Sequence, residues 1–137
     1  MGIKASVEGV KELYKGFTGE EKFMRAAYDK TGGDVGTASE VTQLMLAKEK
    51  ILITRMAVYV KTAGTGATNA TINVGHTDGD AAFVSAVAFV DVAADTVLAL
   101  TSSQFVLAAG KYITVTPKTA NITAGKVIVE IFYKDVA

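Results

Sequence analysis

The densest cluster of potential ligands is His76-Thr77-Asp78-Gly79-Asp80, where an imidazole and two carboxylates stand close together in sequence. Groups of this kind can hold a divalent cation or move a proton. Asp78-Gly79-Asp80 matches part of a calcium loop, but the bidentate glutamate that closes such a loop is missing, and Phe89 and Val90 occupy the region where it would fall. His76 is the only histidine and there is no cysteine, so zinc cages and relay-type catalytic sets lack their residues. A turn is the simplest reading of these five residues, although carbonyls from a neighbouring loop could still complete a weak ion site.

The remaining motifs also have plain readings. Gly64-Thr65-Gly66-Ala67-Thr68-Asn69 follows a predicted strand as a dinucleotide-binding loop would, but Asn69 replaces the last glycine and a strand comes next. Without a helix N-terminus there is no dipole for a pyrophosphate, and a hairpin loop is expected. Gly110-Lys111 and Gly125-Lys126 lack the Ser or Thr and the upstream glycine of a phosphate loop, and read as turns entering strands. Asn69-Ala70-Thr71 and Asn121-Ile122-Thr123 fit the glycosylation pattern. No apolar leader precedes them, because Lys4, Glu8, Lys11 and Glu12 interrupt every early apolar run, so coincidence in Thr-rich turns is expected. The sequence therefore assigns no catalytic, cofactor-binding or metal residue, and no cofactor is expected.

Composition points the same way. The 137 residues suit one core, half of them are hydrophobic, and only 20% are charged, which favours a packed globule. Fourteen basic residues balance fourteen acidic ones, leaving no net field for a phosphate backbone or an anionic bilayer. No apolar run approaches the roughly 20 residues of a membrane span. Neither nucleic acid nor membrane is an expected partner.

The elements that must position these residues divide near Gly36. In 1–36, Val7, Val10, Leu13, Tyr14 and Phe17 recur at steps of three and four, giving a helix with Lys4, Glu8, Lys11, Glu12 and Lys15 on its other face. Thr18 and Glu21 stand at capping-box spacing ahead of Phe23, Met24, Ala27 and Tyr28, which predicts a second short helix. Thr37 and Glu40 repeat that spacing before Val41, Leu44 and Met45, where a helix and a strand are both compatible.

From Lys50 the period becomes two. Leu52, Thr54, Met56, Val58 and Val60 form the better core face of a strand whose other face carries Ile51, Ile53, Arg55, Ala57, Tyr59 and Lys61. Ile72 and Val74 resume after the Gly64 turn, which predicts a hairpin. Residues 81–97 alternate as a strand through Phe83, Ser85, Val87 and Phe89, yet are alanine-rich enough for a helix. Tyr112–Thr116 and the alternating run Val127, Val129, Ile131 and Tyr133 complete the pattern. The fold class is mainly β: a jelly-roll-like β-sandwich over 37–137 with a short helical segment before it. Its expected inward residues include Met56, Val58, Ile72, Val74, Val115, Val129 and Ile131.

The run Thr71-Ile72-Asn73-Val74-Gly75-His76-Thr77-Asp78-Gly79-Asp80-Ala81-Ala82-Phe83-Val84, with Tyr112-Ile113-Thr114-Val115 and the segment from Thr123 to Tyr133, resembles small β-sandwich structural proteins of tailed bacteriophages. Head decoration, or cement, proteins are the nearest kind. The resemblance runs from about Leu44 to the end and lies in strand and turn cadence. It implies a non-enzymatic virion protein, homo-oligomeric with a trimer favoured. Such a protein is made in the host cytoplasm and binds the major capsid protein shell from outside. A head fibre, neck or tail component and a glycan-binding jelly-roll module are the alternatives. Val7, Val10, Leu13, Tyr14 and Phe17 are the candidate partner-docking residues: a short helix with an internal Gly9 must bury its stripe, either on its own sandwich or on a partner.

Overall fold

The computed structural model describes residues 17–33 and 35–136, with side chains from residue 20 onward. Short apolar alternations broken by Gly, Thr, Asn and Asp produce eight strands among the described residues. They are β1 (Phe17–Asp29), β2 (Thr42–Leu46), β3 (Ile51–Gly66), β4 (Thr71–His76), β5 (Gly79–Ala88), β6 (Phe105–Leu107), β7 (Tyr112–Lys118) and β8 (Ile122–Val136). One sheet has the order β1-β8-β3-β6 and the other β2-β7-β4-β5.

The pairing is nested. β4 pairs with β5, β3 with β6, β2 with β7 and β1 with β8, all antiparallel. The chain is thus one long hairpin whose tip is the Thr77-Asp78 turn, wrapped until β3 also meets β8 and β4 also meets β7. Eight strands so arranged make a jelly roll. Its inner faces meet in one core in which Met56, Val58, Ile72, Val74, Val115, Val129 and Ile131 are all buried, together with Tyr28, Phe83 and Phe89. Each large aliphatic side chain so buried contributes about 1.5–3 kcal/mol relative to exposure.

Three expectations change and two open readings are resolved. The second helix is a strand: Thr18, Glu21, Phe23, Met24, Ala27 and Tyr28 lie in β1, which pairs with β8 from Phe17↔Val136 to Asp29↔Lys126. Met24 and Tyr28 are four apart, a spacing that shares a face in either element. Backbone pairing along β8 favours the strand. The stretch around Val41 to Met45 becomes β2, and residues 79–88 become β5 with irregular chain after it. Of the first predicted helix, Val7, Val10, Leu13 and Tyr14 lie outside the described residues, and Phe17 is described only as the first residue of β1.

The expected β3–β4 hairpin is absent because the two strands lie in different sheets. The Gly64 region carries the chain across the sandwich. Within β3 the inward face also switches. Ile51 and Ile53 are buried, and then Met56, Val58 and Val60 are, because β3 holds an extra residue against β8 between Ile53 and Arg55. Such a bulge exchanges the faces of all that follows, so Leu52 and Thr54 are not core residues.

Candidate interaction surface

The potential ligands of the HTDGD turn do not converge. The His76 ring stacks on Phe105 at 4.5 Å and lies 6.0 Å from Phe83, bridging the two sheets at one end of the sandwich. Its Nδ1 accepts the Asp78 N–H at 3.3 Å. The carboxylates diverge: Asp78 meets Lys111 at 3.3 Å and Asp80 meets Lys118 at 3.0 Å. Among the described residues no three His, Cys, Asp or Glu side chains cluster as a metal site.

The glycines of the dinucleotide-like loop serve packing. A Cβ at Gly64 or at Gly125, which has φ +123°, would collide with the ring of Phe89. Phe89 is fully buried, so these glycines open space for an aromatic plug at one end of β3 and β8. Thr65 and Thr123 share a hydroxyl hydrogen bond of 2.8 Å beside them. Lys111 and Lys126 engage Asp78 and Asp29.

The richest polar and aromatic arrangement is one the sequence did not single out, on the outer face of β1, β8 and β3. In β1 the register against β8 slips between Thr18 and Lys22, where β1 has two more residues than its partner. This bulge and the one in β3 bring Glu21 within reach of β3, across the intervening β8. The Thr54 hydroxyl donates to one Glu21 oxygen at 2.5 Å, and the Arg55 guanidinium donates to the other at 2.9 Å. The Thr54 hydrogen bond, with the Arg55 bond and charge adding to it, holds the Glu21 carboxyl below the usual range.

Arg55 also lies over Phe132, with 4.1 Å between guanidinium carbon and ring centroid, and Phe132 meets Phe23 at 5.0 Å. Phe23 is 49% exposed. A second bridge crosses β8 where Arg25 donates to the Tyr59 hydroxyl at 3.2 Å, above the buried Ile128. A depression of about 280 Å³ is lined by Phe23, Arg55, Met56, Ala57, Glu130 and Phe132. Strand alternation could have placed Arg55 and Phe132 on this face, whereas the helical reading of residues 18–28 hid Phe23 and Glu21.

Two solved structures that share this fold are of phage capsids. A chain of the acidic stable capsid structure of Helicobacter pylori bacteriophage KHP30 superposes with a TM-score of 0.58 at 14% identity, covering 85% of this chain and 88% of that one. The fold is shared with phage capsid chains. A chain of the cyanophage Pam1 capsid asymmetric unit gives a TM-score of 0.58 at 19% identity, covering 87% of each. No family model and no curated protein sequence matches this chain.

Proposed function

We propose that this protein is a non-enzymatic structural component of a bacteriophage virion, a decoration or cement protein that binds and stabilises the capsid shell from outside. The observation that carries the reading is the extent of the structural likeness: it covers 85–88% of both partners in each comparison. The similar chains in those capsid structures are therefore of about this size and built around one sandwich. A jelly roll presents rigid outer faces and end loops suited to protein partners. The exposed aromatic and arginine side chains on β1, β8 and β3 belong to the types that dominate interface energetics.

Attachment is assigned to the part of the N-terminal stripe that precedes β1, Val7, Val10, Leu13 and Tyr14, as a docking element for the shell or a neighbouring subunit, Phe17 belonging to β1. The fold defines how to test this. A truncation must keep β1, because a chain begun at Gly36 strips one flank of β8. A chain begun at Phe17 is expected to stay folded, with a cooperative melt, and to lose co-sedimentation with purified capsids of the encoding phage. Full-length protein added to capsids lacking it is expected to appear in cryo-electron microscopy as ordered density outside the shell. Density only at the neck, tail or head fibres would replace the cement assignment. A Phe17-started chain that still decorates capsids would move the contact onto the sandwich.

A further inference from the structure

The outer face of β1, β8 and β3 carries a ridge and a depression side by side. The ridge is Phe23, Phe132 and Arg55, one residue from each strand, stacked in sequence. Two residues along the strands, Arg25, Glu130 and Ala57 stand in register. The small Ala57 leaves the 280 Å³ depression open between that row and the ridge. Past Arg25 a second depression of about 230 Å³ lies over Ala27 and Ile128.

We propose that this face docks a second copy of the chain in a two-fold contact. Shape favours that occupant, since a two-fold axis lying in the interface sets each ridge against the other copy's depression, as an isologous contact requires. Charge favours it as well. The face holds Glu21 and Glu130 with Arg25 and Arg55, and Lys126, which lines the second depression, is paired with Asp29, so both signs are present in equal number and the face complements itself, whereas a partner of a single sign would oppose half of it. The guanidiniums are also held in place beforehand, Arg55 by Glu21 and Arg25 by Tyr59, which lowers the ordering cost of association. This contact is independent of the virion reading and of the N-terminal stripe.

Analytical ultracentrifugation of the full chain over a concentration series tests the assignment, with Phe23→Glu and Ala57→Arg as patch variants and Lys61→Glu as a control outside it. The wild type is expected to reach the mass of two 14.3 kDa chains. Each patch variant is expected to weaken association by about tenfold or more, the equivalent of 1.4 kcal/mol, with an unchanged circular dichroism spectrum and a cooperative melt. Phe23→Glu alters an exposed ring and keeps the test open if Ala57→Arg does not fold. A wild type that remains monomeric at its highest soluble concentration, one that assembles as a trimer, or a folded Phe23→Glu variant that associates unchanged would each overturn the proposal.

Discussion

Asn73 accepts the Ala86 N–H at 2.7 Å, and this bond fastens a bulge in β5 to the neighbouring β4. Between Ile72↔Val87 and Val74↔Val84 the edge strand has one residue more than its partner. Ala86 absorbs that residue at φ 50°, a left-handed conformation that L side chains adopt at a cost of about 1–2 kcal/mol. Asn73 is buried, and its side chain supplies the acceptor.

Asn73→Leu leaves the Ala86 N–H without its acceptor and is expected to lower stability by about 1–3 kcal/mol. Ala86→Gly relaxes the backbone and is expected to raise it by up to about 1 kcal/mol, the entropy of the added glycine offsetting part of the gain. Urea denaturation with a common slope checks both, and midpoints that move in the same direction would contradict this account of the bulge.

Ile131 lies at the centre of its sheet, opposite Met24 on one side and Met56 on the other, with no exposure. Ile131→Asp sets an unpaired carboxylate there, at a cost of several kcal/mol against a total stability of about 5–15 kcal/mol. Insoluble or unfolded protein is expected. A soluble variant with a native-like melt would show that this face is not the core.

The Tyr28 hydroxyl is buried with no hydrogen-bond partner among the described residues. Burial, and secondarily the negative charge of Glu40, push its pKa from 10.0 up to about 12. The folded state thus keeps a proton that the unfolded state releases. The associated stability is complete below about pH 10 and is lost as pH rises toward 12. Tyr28→Phe is expected to gain about 1 kcal/mol near neutrality by removing the orphan hydroxyl. It is also expected to flatten the alkaline decline in melting temperature. Equal declines in the two proteins would place that titration elsewhere.

Phe89 and Gly64 form a coupled pair. Gly64→Ala drives a methyl into the ring and is expected to cost about 1–3 kcal/mol. Adding Phe89→Leu is expected to recover part of that loss, giving a favourable coupling of about 0.5–3 kcal/mol in a double-mutant cycle. Strict additivity would mean that the ring does not set the requirement for glycine.

The sequence made the strands legible where apolar residues keep one parity along a stretch without a bulge. Ile72/Val74 and Val127/Val129/Ile131 alternate without interruption, so the inward residues could be named. It misled at bulges, because one inserted residue reverses a face without a compositional trace: Thr54 carries nothing to mark the switch from Ile53 to Met56. It misled again at β1, where Met24 and Tyr28 suit a helix as well as a strand, and only pairing with β8, far away in sequence, decides between them. The outer-face cluster depends on both of those features. Glu21 meets Arg55 through two bulges and across a third strand, a proximity that no local spacing encodes.

Nested pairing also has a consequence for biosynthesis. β8 lies between β1 and β3, so the first sheet lacks its interior strand until Ile122–Val136 has left the ribosome. Before then β1 and the long β3 expose unpaired backbone beside apolar side chains, the state in which strand edges associate wrongly. Only the β4–β5 hairpin is local enough to form early, and the remaining pairings close loops of increasing length. Folding is expected to proceed from the hairpin tip outward and to close the first sheet only with β8, so a nascent chain stalled before β8 is expected to need chaperones to stay soluble.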